Sequence, residues 1–178
     1  MGFIEETGAA QHYRDARILP IYEGTNGIQA IDLLMRKLPL EGGKVVEAYI
    51  GELQRTAEDV RASNRPEFGR MGERLAEAVA ALAEATRWMG QALAKNPEPA
   101  LAGAQPYLRL FGLAAGGAYL ARGALAAVRE AHASANNPRV AIARYFAENH
   151  IVAAASLKDA VVSGADATLL LEPEALAG

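Results

Sequence analysis

No cysteine occurs among the 178 residues. That excludes a disulfide scaffold, a thiolate zinc site, an iron–sulfur cluster and a thiol nucleophile. Histidine is nearly as scarce. His12, His132 and His150 lie far apart in the chain, so no local pair of metal ligands exists and no metal site is expected. Excess positive charge is missing too: the net charge is -3 and the pI near 5.7. A nucleic-acid partner held by phosphate neutralisation would need a basic surface, so none is expected. The start, Met1 to Glu6, has neither a basic n-region nor an apolar run, so it is no secretory signal. A cytoplasmic location is the expectation.

Aromatic residues make up only 6% of the chain, and alanine outnumbers Val, Ile and Thr together. Strands want β-branched and aromatic side chains, whereas alanine favours helix. No segment alternates with period two for long. The fold class expected is all-α: an antiparallel helical bundle with up-and-down connections.

Turn residues divide the chain into helices. A short polar helix is expected over Glu5 to Arg17, stopped by Pro20, which lacks an N–H and disfavours helix at Leu19. Glu23-Gly24-Thr25-Asn26-Gly27 is a tight turn in which Thr25 or Asn26 can cap the next helix. Ile28, Ile31, Leu34, Met35 and Leu38 then recur at helical spacing. Pro39 and Gly42-Gly43 close that helix. A second stripe runs from Val45 to Val60. Ser63-Asn64-Arg65-Pro66 reads as a stop and a new start, with Pro66 at the first position of the helix whose stripe runs from Met71 to Leu93, ending near Lys95. Trp88 and Met89 sit on that third stripe and read as core. Ala100 to Ala133 reads as one helix in which Pro106 is a kink or a late start. Asn136-Asn137-Pro138 opens another, with Ile142, Tyr145, Phe146, Asn149, Val152, Ala153 and Val161 as its apolar face up to Gly164. His150 lies near that face and is expected in a core or interface, while His12 and His132 are expected at the surface.

Leu110 to Leu120 is apolar, but Arg109 and Arg122 bracket it. The gap falls short of the roughly 20 residues a membrane span needs. Its small residues suit close helix–helix approach instead.

One segment says more than "helical bundle". Tyr13-Arg14-Asp15-Ala16-Arg17-Ile18, Ile21-Tyr22-Glu23-Gly24-Thr25 and Ile28-Gln29 resemble the C-terminal signature of acyl-CoA dehydrogenases. Met1-Gly2-Phe3 is similar to the end of that family's upstream glycine element, in register. The resemblance is carried by residues 1–38, expected to be the end of the family's C-terminal helical domain. Residues 39–178 are similar, in composition and position, to the additional helical domain of an extended, methylmercaptopropionyl-CoA dehydrogenase-like subgroup. Gly27 adds to that, since the Asn-Gly form is familiar there.

The resemblance implies α,β-desaturation of an acyl-CoA thioester with FAD as cofactor. Glu23 is then the catalytic base that removes the α proton while a hydride leaves the β carbon for the flavin. A carboxylate desolvated by flavin and acyl chain becomes a stronger base. The backbone N–H of the same residue would help polarise the thioester carbonyl, an interaction worth ~3–4 kcal/mol. Gly24 becomes a substrate-contact position where a side chain would obstruct the thioester, and Tyr22 a residue lining the acyl pocket. Thr25, Asn26 and Gly27 map to the cofactor-contacting turn, with Gly27 lacking the family's usual side-chain contact. Electron-transferring flavoprotein is the implied redox partner.

Without the resemblance, Glu23-Gly24-Thr25 is an ordinary capping turn, and Arg14 and Asp15 are a solvated pair. The family's N-terminal helical and central β domains have no counterpart here, so the chain is expected to be a C-terminal fragment, inactive alone. Unpartnered Ile28, Ile31 and Leu34 would then favour a homo-oligomer. The competing reading is an autonomous helical interaction module that keeps a vestigial dehydrogenase signature.

Overall fold

The computed structural model describes residues 4–19, 21–22, 25–130, 137–170 and 175. Among them every regular element is helical. In chain order these are α1 (Ala9–Arg17), α2 (Asn26–Asp32), α3 (Lys44–Ala62), α4 (Met71–Lys95), α5 (Pro97–Ala102), α6 (Ala104–Glu130), α7 (Pro138–Asn149), α8 (Ala154–Ser163) and α9 (Ala165–Thr168). Short 3-10 turns cover Glu5–Thr7, Leu40–Gly43, Pro66–Phe68 and Ile151–Ala153, and α2 runs on through a π turn at Leu33–Lys37.

The caps explain the boundaries. Asn96 and Asn137 each precede a proline at the first helical position, and their side chains accept from Glu98 N and Arg139 N at 3.2 and 2.9 Å. The first helix starts later than expected, at Ala9. Glu5–Thr7 form a separate turn, ended by Gly8 at φ 73, a left-handed conformation that suits glycine. Ala100 belongs to the short α5, and Pro106 falls in the first turn of α6. It is therefore a late start with no kink, because the missing N–H is one the first turn leaves unbonded anyway.

The contacts set the helix directions. The end of α3 meets the start of α4: a Cβ on Gly72 would lie 3.1 Å from Val60 Cγ1 and 3.2 Å from Arg61 N. Thr86 and Tyr107 meet further along, so α4 runs antiparallel to both α3 and α6. Tyr49 stacks on Phe111 at 5.7 Å and Thr56 bonds Arg122, so α3 and α6 run parallel. Gly103 lies against Val161 and Gly117 against Ile151, which reverses α8 relative to α6. The result is the expected up-and-down arrangement around α4 and α6.

The core is made of Leu53, Leu75, Val79, Leu82, Met89, Tyr107, Leu110 and Val161 with many alanines, all essentially sealed from solvent. Each large side chain is worth ~1.5–3 kcal/mol of burial. Met89 is core as expected, and Trp88 packs partly buried against it. By length and composition alone, α6 could cross a membrane. In the fold it lies at the centre, with Tyr107, Leu110, Ala114, Ala118, Ala121 and Ala124 fully enclosed.

The face expected after Pro138 holds at Phe146, which packs on the core, and at Val161, which is inside it, and fails elsewhere. Ile142, Tyr145, Asn149 and Val152 are exposed, and Val140, Ala143, Ala147, Ile151 and Ala154 are buried instead. The reason lies in Gly116 and Gly117 on α6. Ile151 Cδ1 occupies the space a Cβ on Gly117 would fill, and Phe146 Cζ lies in ordinary contact, 3.7 Å from where a Cβ on Gly116 would be, so the side carrying these two residues is the one turned to α6. Of the two placements expected for His150, the core is ruled out: it is exposed, flanked by Tyr145 and Phe146 with ring centroids 5.6 and 5.3 Å away. His12 is exposed, and His132 lies outside the described residues.

Candidate active site

The signature segment begins on α1, whose surface is polar. Arg14 bonds Glu5 and Gln11 at 3.2 and 2.9 Å, and Gln11 donates to Asp15 at 2.6 Å. Arg14 and Asp15 are thus solvated, though their partners are other residues. After Arg17 the backbone turns, with Ile21 N and Tyr22 N both donating to Ile18 O at 3.0 and 3.1 Å. Ile18, Leu19, Ile21 and Tyr22 are all exposed, and Tyr22 keeps about half its surface open.

Glu23 and Gly24 lie outside the described residues. Beyond them Thr25 is extended (φ -69, ψ 165) and caps α2: its Oγ1 accepts from Ile28 N at 3.4 Å and its carbonyl from Gln29 N at 3.0 Å. Of the two capping residues the sequence allows, Thr25 is the one used. Asn26 and Gly27 form the first turn, where the helix itself offers their N–H groups no acceptor.

Gly27 needs no help from its own chain. A Cβ there would meet only Thr25 Oγ1, at 3.8 Å, an ordinary contact. Glycine within a helix costs up to ~1 kcal/mol relative to alanine, and no neighbour among the described residues requires it.

α2 is fixed to the bundle by one face. Ala30, Leu34 and Leu38 are buried in the same core as α3, α4 and α6. Ile28, Ile31 and Met35 face outward, each about half exposed. The expectation that Leu34 would be left open is therefore wrong, because it packs inside the bundle with no exposed surface at all. The carboxylate of Asp32 accepts from Arg36 at 2.7 Å and faces Lys37 at 3.0 Å. The Lys37 hydrogen bond, helped by the Arg36 charge, holds that carboxyl below its usual range. Sequence reading missed this cluster, because Asp32 and Lys37 are five residues apart, a spacing that no ordinary helix pairs.

A groove of about 730 Å³ lies between Leu38–Gly43, α3 and α4, lined by Val46, Ile50, Thr86 and Arg87 among others. It touches α2 only at Leu38, the end opposite Thr25. Among the described residues no cluster of three His, Asp or Glu could hold a metal ion.

Comparison with known proteins decides the family. The profile described as "Acyl-CoA dehydrogenase, C-terminal domain" matches residues 1–38. The one described as "Acetyl-CoA dehydrogenase C-terminal like" matches residues 49–172, well over half of the chain. The chain belongs to the acyl-CoA dehydrogenase family. It is 39% identical over 173 residues to a 3-methylmercaptopropionyl-CoA dehydrogenase of Ruegeria pomeroyi, a match covering 95% of this chain and 29% of that protein. A butyryl-CoA dehydrogenase of Syntrophomonas wolfei is 38% identical over 52 residues, 29% of this chain and 8% of the relative. A broad-specificity linear acyl-CoA dehydrogenase of Mycobacterium tuberculosis is 38% identical over 53 residues, 30% and 9% respectively. The chain thus spans under a third of the length of the curated relatives it matches, and corresponds to the C-terminal portion of this oxidoreductase family.

Proposed function

We propose that this chain is the C-terminal portion of an FAD-dependent acyl-CoA dehydrogenase and carries its α-proton acceptor, Glu23. The observation that carries the reading is the family match across residues 1–38, which contains Tyr22-Glu23-Gly24-Thr25 in full. Support from the fold is that Thr25 starts a helix anchored to the bundle on one side and open on the other.

Each residue has a role. Glu23 takes the α proton of the bound thioester, and its backbone N–H donates to the carbonyl oxygen on which charge develops. Gly24 leaves room for the thioester. Tyr22 lines the acyl chain with its exposed ring. Thr25, Asn26 and Gly27 contact the cofactor, Gly27 through backbone because it has no side chain to offer. A bound flavin would supply the acceptor for the β hydride, and electron-transferring flavoprotein would be the redox partner. Residues 1–38 end the dehydrogenase's C-terminal helical domain and residues 39–178 form an additional bundle. This portion alone is inactive, since a base without its cofactor cannot complete the oxidation, and the enzyme is cytoplasmic.

The test is Glu23→Gln in the enzyme that contains this portion. Turnover is expected to be abolished while acyl-CoA still binds, and wild-type turnover would refute the base. FAD titration and an acyl-CoA assay with an artificial acceptor, run on the 178-residue chain, test incompleteness: activity there would overturn it.

A further inference from the structure

We propose that the groove between Leu38–Gly43, α3 and α4 binds a small amphiphile with a single carboxylate, its aliphatic body on the groove floor and its head on Arg87. The groove lies away from the signature turn, so the proposal does not depend on the catalytic reading.

Size and lining are those of a ligand site. The volume of about 730 Å³ falls within the roughly 300–1,000 Å³ of small-molecule pockets, which are mostly apolar with a few polar groups. Leu38, Val46, Ile50 and Leu93 supply apolar walls. Such sites favour the seam between structural units. Here Leu38 ends the segment matched at residues 1–38, whereas Ile50, Arg87 and Leu93 belong to the segment matched at 49–172.

The chain keeps this space open. Gly90 lies in the interior of α4, where glycine is a poor helix former. A Cβ on it would meet nothing within 4 Å, so no packing inside the bundle demands the glycine. A longer side chain there would project into the groove. On the Leu38–Gly43 side, Glu41, Gly42 and Gly43 are left-handed in succession, at φ 50, 68 and 91. Glycine adopts this freely, but Glu41 is held in a sparsely populated region, a kind of strain that gathers at ligand clamps. Cβ atoms on Gly42 and Gly43 would also meet nothing, so this wall too is bare.

The polar groups set the sign of the ligand. Thr86 Oγ1 is committed to the Tyr107 hydroxyl. Arg87, Gln91 and Glu47 line the groove with no hydrogen-bond or ion-pair partner among the described residues. The acid nearest Arg87 along α4, Glu84, faces Lys158 at 3.5 Å instead. Glu47 sits in the first turn of α3, where the positive end of the helix offsets its charge. Arg87 is therefore the uncompensated charge. Gln91, one turn further along α4, adds an amide donor beside it. A guanidinium grips a carboxylate through two parallel N–H bonds. A second negative charge on the ligand would face Glu47, so a monoanion fits best.

The test is calorimetric titration of the 178-residue chain with decanoate, below its micelle concentration, against decanol and decyltrimethylammonium. Decanoate is expected to bind at a single saturable site, about 10-fold tighter than the cation. Amide shifts at Gly42, Gly43 and Gly90 should accompany saturation. Arg87→Gln should weaken decanoate about 5-fold and leave decanol unchanged. Gly90→Leu should abolish binding while the thermal midpoint holds or rises, because leucine is the better helix former and meets no neighbour there. The same titration of the enzyme containing this portion compares wild type with Gly90→Leu, so that uptake elsewhere in the enzyme cancels. Wild type should take up one more equivalent. The proposal is overturned by any of four results: no saturable binding, equal binding of the cation, decanoate affinity unchanged by Arg87→Gln or Gly90→Leu, or equal uptake by the two enzymes.

Discussion

Tyr107 and Thr86 offer the sharpest test of how this bundle is held together. Tyr107 has no exposed surface, and its hydroxyl lies 2.8 Å from Thr86 Oγ1 between α6 and α4. Tyr107→Phe keeps the ring and its edge contact with Phe111 but leaves the Thr86 hydroxyl without its partner. An unmatched buried polar group costs ~1–3 kcal/mol. For a domain of this size that lowers the thermal midpoint by about 2–12 °C. The double variant with Thr86→Val removes both polar groups and should recover most of the loss.

The same pair sets a pH dependence. Burial pushes the Tyr107 phenol up to about 12, with the Thr86 hydrogen bond opposing it. An unfolded chain ionises this group above pH ~10, so between 10 and 12 the folded state holds more protons and stability falls as pH rises. The loss from this residue is about 2–3 kcal/mol. Tyr49, raised to about 12 chiefly by burial, adds to it. Denaturant melts followed by circular dichroism at pH 7, 10 and 12 read the effect. The gap between wild type and Tyr107→Phe should be widest at pH 7 and close or reverse by pH 12, leaving the Tyr49 part in both. Two parallel stability curves, or no loss at pH 7, would refute the reasoning.

Two further outcomes complete the set. Gly103→Ala would place a Cβ 3.2 Å from Val161 O and 3.0 Å from Met89 Cε, and is expected to destabilise by ~1–3 kcal/mol, whereas Gly112→Ala meets nothing within 4 Å and should stabilise by ~0.5–1 kcal/mol. Equal thermal shifts would count against the packing. The exposed Ile28, Ile31 and Met35 face is expected to drive self-association of the 178-residue chain, and Ile31→Glu to weaken it in light scattering at micromolar concentrations. A sharp monomer before the substitution would contradict it.

Punctuation made most of the fold legible. Asn96-Pro97 and Asn137-Pro138 cap as their chemistry dictates. Side-chain hydropathy served less well after Pro138, where it picked out Phe146 and Val161 correctly but also Ile142, Tyr145 and Val152. The buried face is instead the one that brings Phe146 and Ile151 onto Gly116 and Gly117. That choice depends on a partner helix more than twenty residues upstream, which a local pattern does not see. His150 followed the same error, since it shares the outward side. At the candidate site the motif named Tyr22 through Gly27, but periodicity alone offered only a capping turn. The π turn was invisible for a related reason. Asp32, Arg36 and Lys37 read as ordinary helix charges, and only the Leu38-to-Leu33 bond reveals a different turn.

These observations assign different work to the two sides of α2. Its inner face, Ala30, Leu34 and Leu38, spends its apolar surface on the bundle. Its outer face keeps Ile28, Ile31 and Met35 in the open, and earlier in the chain Ile18, Leu19, Ile21 and Tyr22 are exposed as well. Burying a large aliphatic side chain is worth ~1.5–3 kcal/mol, so this run withholds stabilisation that the chain could otherwise have gained internally. Elsewhere the exposed apolar residues are fewer: Leu101 and Tyr119 stand singly, and Ile142, Tyr145 and Val152 share the outward side of α7 and the turn after it. Scattered residues need no partner, but a contiguous run does. On the proposed reading, in which Glu23 is the base and follows the exposed Tyr22 in sequence, its desolvation comes from the acyl chain and cofactor that close over it, which ties its strength as a proton acceptor to assembly rather than to the folding of this bundle.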